Sequence, residues 1–285
     1  MQIACLVVDR AVDRRGVGNP RAWSLTWLFV SPTLLFAAFV LVPLVALGIR
    51  GWQDGEVAGQ LTSPFVLQAL RLSVVTSTLA LALALVLGVP AAYLLARVRF
   101  PGHRLLTILV ELPMVLPPTV AGVALLVAFG RRGIIGSALS DVGLELAFTT
   151  TAVVLAQLFV AAPFLVRSLQ AGFEAIDPTY EDVSRTLGVS EWRTFWRVTL
   201  PLARPALLSG AVLCWTRALS ELGATLIFAG NFEGRTQTMP LAIITAFESS
   251  AGLSGAIALS LVLLAVASML LVLVRFAHLR PRGGL

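Results

Sequence analysis

The sequence predicts an all-α membrane protein with about six transmembrane helices and both termini in the cytoplasm. Three observations lead there. The 285 residues are 58% hydrophobic and only 13% charged, against about a quarter charged in a soluble domain. Apolar runs alternate with short polar links, and the runs reach the roughly 20 residues that cross a bilayer. Arginine is shared unequally between alternate links. The arginines within 10–21, 97–104, 167–204 and 275–282 fall on one side, and only Arg50, Arg71, Arg131, Arg132 and Arg235 on the other. Basic residues collect in the cytoplasm, so an even number of spans puts both termini there.

Residues 1–22 are polar and basic and read as a cytoplasmic tail; residues 23–275 read as the transmembrane domain. The first span, 23–49, contains Pro32 and Pro43. It is too long for a signal-peptide core and no small-residue cleavage site ends it. A polar link, 50–64, leads to a second span over 65–96, rich in Ala, Leu and Val. Tyr93 occupies an interfacial position, and Arg97, Arg99 and Arg104 mark the cytoplasmic end.

The third span, 105–129, is broken, because Pro113, Pro117 and Pro118 cannot continue an ideal helix. Backbone freed at membrane depth is tolerated only against protein or a water-filled cavity, and broken helices are frequent in transport pathways. Pro117, Pro118 and Thr119 are therefore candidates for a pathway or gate. A proline kink with packing value alone is the other reading.

The loop 131–148 is expected outside, and Thr149, Thr150 and Thr151 can cap a fourth span running to about residue 166. The fifth span, 205–229, carries Arg217 and Glu221, spaced i,i+4 on one helix and so on one face. A lone charge at mid-membrane is costly, and a neighbour of opposite sign reduces that cost. Arg preceding Glu is the less favoured helical order. The pair therefore either lines a hydrated pathway or a contact between two copies, with Arg217 attracting an anion, or locks helices together. Residues 230–250 are expected outside, 253–274 form the sixth span, and 276–285 are a basic cytoplasmic tail.

Between the fourth and fifth spans lies a polar island, 174–204. Asp177 is placed to cap a helix that has Pro178 at its first position. Glu181 and Asp182 fall in the first turn, where the helix dipole favours acids. Gly188 suits a left-handed C-cap. Ser190 caps a second helix with Trp192, Phe195, Trp196 and Val198 at helical spacing, and Leu200-Pro201 ends it. A short helix, a glycine turn and an amphipathic helix can fill a groove on a partner. A solvated loop resting on lipid headgroups is the plainer alternative.

This island resembles the cytoplasmic loop of inner-membrane subunits of binding-protein-dependent ABC importers, E-A-A-x3-G-x9-I-x-L-P. Here Asp182-Val183-Ser184 precede three residues, Gly188, nine residues, then Val198, Thr199 and Leu200-Pro201. The glycine, the Leu-Pro and all the spacings match. Asp replaces Glu, Val and Ser replace the two Ala, and Val replaces Ile. The resemblance implies a coupling helix that docks on an ATPase subunit, with Glu181, Asp182, Val183, Ser184, Gly188, Leu200 and Pro201 as its residues.

Other stretches resemble the molybdate-type permeases. They are LPPTVAG from Leu116 to Gly122, Gly130-Arg131-Arg132-Gly133, RALSELGAT from Arg217 to Thr225, and GRTQTMPLAI from Gly234 to Ile243. Sulfate permeases are similar, though less close around Gly-Arg-Thr-Gln-Thr. The resemblance covers about residues 65–275 and implies the type I ABC importer permease fold. It implies a homodimer of this chain in a bacterial or archaeal inner membrane, surrounded by lipid. It also implies two cytoplasmic ABC ATPase subunits that hold ATP and Mg, an extracytoplasmic oxyanion-binding protein, and no cofactor in this chain. The activity implied is alternating access for a tetrahedral oxyanion, molybdate or tungstate, with sulfate or thiosulfate as the alternative.

Other functions fit less well. The net charge of +6 comes from arginine alone, spread between apolar runs, and a clustered basic patch is what nucleic acid would require. Without lysine there is no G-x-x-x-x-G-K-[ST] loop, so ATP chemistry belongs to another subunit. Cys5 and Cys214 are too few for a disulfide framework or a four-ligand zinc site, and His103 and His278 have no companions at metal-ligand spacing. Gly252-Leu253-Ser254-Gly255 matches the short pattern of rhomboid-like intramembrane serine proteases, whose serine needs a base within hydrogen-bond reach. His278 lies 24 positions beyond Ser254, roughly 36 Å along a continuous helix. A channel or secondary transporter would leave the docking-like island unexplained.

Overall fold

A computed structural model describes residues 20–55, 59, 63–250 and 252–279, and among them the chain contains helices and no strands. Most of the expected N-terminal tail (1–19) and residues 280–285 lie outside the described residues. The chain divides into two compact units, Met1–Gln53 and Asp54–Leu285.

The described part of the first unit is helical: α1 (Pro20–Asp54) accommodates both Pro32 and Pro43 and runs past the expected end of the first span. Its stretch Leu28–Gln53 is strongly apolar, and nearly all of its described side chains are exposed. A helix that is hydrophobic all round belongs in lipid or against another apolar surface.

The second unit opens with α2 (Pro64–Arg97), capped by Ser63, whose hydroxyl accepts from the Val66 N–H. Then come α3 (His103–Val115), α4 (Pro118–Phe129), the short α5 (Gly136–Asp141) and α6 (Thr150–Glu174). Thr149 caps α6 as expected, its hydroxyl accepting from the Ala152 N–H at 3.3 Å. However, α6 extends two turns beyond the expected end, to Glu174. Helix α7 (Thr179–Thr186) and α8 (Glu191–Leu202) form the polar island. They are followed by α9 (Arg204–Leu219), α10 (Gly223–Ala229), α11 (Met239–Glu248) and α12 (Gly252–Leu279).

Four helices are long and apolar enough to cross a membrane alone, and two bent pairs bring the number to six. Helices α3 and α4 meet at 117°, and α8 and α9 at 73°. The break in the third span is therefore far more than a kink. It falls at Leu116–Pro117, while Pro113 stays inside α3.

Packing is built on small residues. Helix α2 buries Ala69, Ser73, Ser77, Ala80, Ala84, Gly88, Ala92 and Leu95, a stripe at three- and four-residue intervals on one face. It lies against α6 and α9, and a Cβ on Gly88 would stand only 3.1 Å from Val166 Cγ2. Lipid provides no hydrophobic drive between such helices, so close van der Waals contact through small residues replaces it. A second core joins α4, α6 and α10 through Ala121, Leu125, Val153, Val160, Ala224 and Phe228.

One expectation is corrected here and one is filled in. Residues 230–250, expected outside, contain a helix, α11. Thr236, Gln237 and Thr238 are buried, while Glu233 and Arg235 are exposed. Helix α11 packs on α2 and α12, fixed where the Met239 N–H donates to Ser73 Oγ at 2.7 Å. The fifth span is not one helix over 205–229. Helix α9 ends at Leu219 and α10 begins at Gly223.

Candidate functional site

The polar island folds by local rules. Asp177 caps α7, its Oδ1 accepting from the Thr179 N–H at 2.9 Å and the Thr179 hydroxyl at 2.7 Å. Those two bonds, the hydroxyl first, hold the Asp177 carboxyl below its ordinary pKa. At the other end the Val189 N–H reaches Ser184 O and the Gly188 N–H reaches Arg185 O, the paired bonds of a Schellman turn. This turn requires the left-handed conformation that Gly188 adopts, φ +75°. Ser190 stands at the start of α8, but its side chain makes no capping bond. Helix α8 contains one π turn, Phe195–Thr199. Leu200-Pro201 does not quite end it, since the helix continues to Leu202.

The seven expected coupling residues divide by face. Glu181 and Ser184 point inward. Glu181 is 4% exposed. Its Oε1 pairs with Arg97 at 3.3 Å and accepts the Thr199 hydroxyl at 2.9 Å. The Ser184 and Thr194 hydroxyls share a 2.8 Å hydrogen bond, which ties α7 to α8. Asp182, Val183 and Gly188 point outward, and Asp182 forms an exposed pair with Arg185 at 3.0 Å. Leu200 packs on the α2–α6 core and Pro201 is half-buried, so both hold the end of α8 in place.

The outward face is apolar for a polar loop. Val183 is 51% exposed, Leu187 76%, Trp192 71% and Trp196 50%. Of these, Trp192 and Trp196 touch edge to face, their ring centroids 5.6 Å apart, and exposed apolar side chains gathered on a loop are where a contact site would be sought.

The pathway candidates meet at the two helix breaks. Pro117, in the break between α3 and α4, and Pro118 and Thr119, the first residues of α4, are exposed. A Cβ on Gly223, the first residue of α10, would lie 2.9 Å from Pro118 Cβ and 3.2 Å from the Thr119 nitrogen. One turn further along α4, a Cβ on Gly122 would meet Ile227 Cβ at 2.8 Å. The crossing of α4 and α10 thus depends on glycine from both sides.

Arg217 and Glu221 do pair, at 2.7 Å, but not on one continuous helix as expected. Arg217 lies in the last turn of α9, while Glu221 sits in the break, where its Oε1 accepts the Ala224 N–H of α10 at 2.8 Å. Glu221 is 1% exposed and Arg217 is half-buried.

Sequence reasoning missed Arg97 and Thr199 as partners of Glu181, because Arg97 was legible only as a topology charge. It also missed the Arg167–Glu111 ion pair at 3.1 Å between α6 and α3. Ser254 and His278 lie near opposite ends of α12, a separation that a protease site would not permit.

Residues 84–282 match the family described as binding-protein-dependent transport system inner membrane components. This chain belongs to that family. The assignment makes it a multi-pass protein of the inner membrane, and its relatives are permeases. It is 45% identical over 244 residues to the molybdenum transport system permease protein ModB of Mycobacterium tuberculosis, covering 85% of this chain and 90% of the relative. It is 38% identical to the molybdate/tungstate transport system permease protein WtpB of Thermococcus kodakarensis, covering 71% and 77%. It is 35% identical to sulfate permease 2, chloroplastic, of Chlamydomonas reinhardtii, covering 82% and 64%. The fold is that of ABC importer permeases of type I. It matches a chain of the bacterial alginate ABC transporter crystallised with its alginate pentasaccharide-bound periplasmic protein, with a TM-score of 0.74, 17% identity, and 93% and 98% of the two chains covered.

Proposed function

We propose that this chain is the membrane subunit of an ATP-driven ABC importer that moves molybdate or tungstate inward, and that it works as a homodimer. The observation that carries the substrate is its 45% identity to a molybdenum transport permease across 85% of its length. Two copies would form the pathway, with two ABC ATPase subunits in the cytoplasm and an oxyanion-binding protein outside. ATP and Mg belong to the ATPase subunits.

The island 174–204 supplies the coupling surface. Asp182, Val183, Leu187 and Gly188 face outward on α7 and its turn, where an ATPase groove could receive them. Both termini and this loop then lie in the cytoplasm, as the arginine distribution favours. The two helix breaks, at Leu116–Pro117 beside Pro118 and Thr119 and at Ser220–Leu222, are the pathway candidates, since irregular backbone at membrane depth belongs at cavities. Arg217 lies at one of them and would attract an anion, with Glu221 tempering its charge.

Sulfate is the second reading, favoured by the 35% identity to a sulfate permease. Cellular molybdenum in a deletion strain grown on trace molybdate, measured beside labelled sulfate uptake, separates the two. A fall in molybdenum alone that the gene restores supports molybdate. A fall in sulfate uptake alone overturns that substrate while leaving the architecture.

A further inference from the structure

Glu181 lies in the segment expected to touch the ATPase, yet it is turned away from solvent. Its side chain and that of Arg97 are 6% and 13% exposed. Arg97 is the last residue of α2, and it donates from Nε to Glu181 Oε1 at 3.3 Å and from Nη2 to the Ile176 carbonyl at 3.0 Å. The same carboxylate oxygen accepts the hydroxyl of Thr199, which is fully buried. Thr199 closes the π turn of α8 and immediately precedes Leu200-Pro201. One oxygen therefore joins the coupling helix α7 to the end of α2 and to α8, which leads into α9.

A partner that claimed that oxygen would have to compete with Arg97 and the Thr199 hydroxyl for it. A buried charge deprived of its partner is strongly unfavourable, so a direct contact of Glu181 with another subunit would be opposed by the fold itself. The outward side chains of α7 are different residues: Asp182, Val183 and Leu187. The other bonds of α7 among the described residues do not reach α2. Its ends are a short Asp177 cap and a glycine turn, and the Ser184–Thr194 hydroxyl pair and the exposed Arg185–Glu191 ion pair at 3.8 Å link it to α8. With Glu181 in place, α7 cannot shift without moving the end of α2 and the π turn of α8. Without it, a push on α7 could be absorbed in the loop.

We propose that Glu181 is a positioning residue, an internal tether that carries displacement of α7 into α2 and α8, rather than a docking contact. This rests on the reading that α7 docks on an ATPase.

The test uses the full complex, with ATPase and binding protein, in proteoliposomes supplied with molybdate. It measures ATPase co-purification and molybdate taken up per ATP hydrolysed. Glu181→Gln, Thr199→Val, Arg97→Gln and the Arg97→Gln/Glu181→Gln double variant are compared with wild type. Thr199→Val removes one arm without stranding a charge, so it decides the matter if Glu181→Gln fails to reach the membrane.

The expected result is that the variants retain the ATPase at the wild-type ratio. Uptake per ATP falls by about fivefold or more for Glu181→Gln, the scale of a real coupling energy, and less for Thr199→Val. The double variant is no worse than Glu181→Gln alone, as befits two ends of one link. Wild-type uptake per ATP in both Glu181→Gln and Thr199→Val overturns the tether. Loss of the ATPase from Glu181→Gln also overturns it, by making Glu181 a docking contact. An ATPase that fails to bind the wild-type chain overturns the proposed function instead.

Discussion

Glu221 stands 2.7 Å from Arg217 and accepts the Ala224 N–H at 2.8 Å, so one buried carboxylate closes the last turn of α9 and opens the first turn of α10. Glu221→Ala leaves both groups without this partner. Breaking a fully buried ion pair costs about 3–5 kcal/mol; Arg217 is only half-buried, so a smaller loss is expected in unfolding of the purified protein in detergent. Glu221→Gln keeps an acceptor for Ala224 and should lose less. An unchanged unfolding midpoint for Glu221→Ala would show that neither bond supports the fold.

The glycine crossing gives a second expectation. Gly223→Ala places a methyl 2.9 Å from Pro118 Cβ and 3.2 Å from the Thr119 backbone nitrogen. Overpacking of this kind typically costs about 1–3 kcal/mol, and here it also pushes the two helix breaks apart. Thermal stability and uptake should both fall. Gly88→Ala, which meets the movable side-chain ends Val166 Cγ2 at 3.1 Å and Leu165 Cδ2 at 3.5 Å, should do much less. Equal effects for the two would remove the special role of the α4–α10 crossing.

On the outward face of the island, Val183→Asp and Leu187→Asp touch side chains that are 51% and 76% exposed. Surface changes of this type stay within about 0.5 kcal/mol of wild-type stability. If this face docks on the ATPase, co-purification should drop by about tenfold or more, the scale of an interface anchor. Full retention of the ATPase in both variants would move the docking surface elsewhere.

The Asp177 cap supplies a pH signature. Its pKa is lowered by the Thr179 hydroxyl and then by the Thr179 N–H. A lowered carboxylate contributes stability above its unfolded pKa and loses it as pH falls through the folded value. The melting-temperature gap between wild type and Asp177→Ala should therefore hold at neutral pH and shrink below about pH 4. A gap that widens on acidification would contradict the cap.

Much of this was legible in the sequence because it is local. Six candidate spans follow from run length, and the break after α3 follows from proline chemistry. The left-handed turn follows from Gly188 standing where an eight-residue helix stops. The orientation of Glu181 was not legible. It neighbours Asp182, and so short a helix has too little periodicity to say which acid faces inward. Arg97 and Thr199, distant in sequence, decide it. The contact of Pro118 with Gly223 is likewise hidden, since a glycine does not announce what approaches it. The burial of Thr236 to Thr238 beside α11 is hidden too, since three polar residues in a row carry no apolar period that would mark an inward face.

Trp192 and Trp196 stand exposed on the island, while the indole of Trp215 is buried and donates to Thr78 Oγ1 at 3.2 Å. The loop therefore carries its own optical reporter. A protein closing over those two indoles would strip water from them and move their emission to the blue, while Trp215 and the three tryptophans outside the loop, Trp23, Trp27 and Trp52, form the background. Arrival and departure of a partner could then be timed by stopped-flow fluorescence on the unlabelled chain.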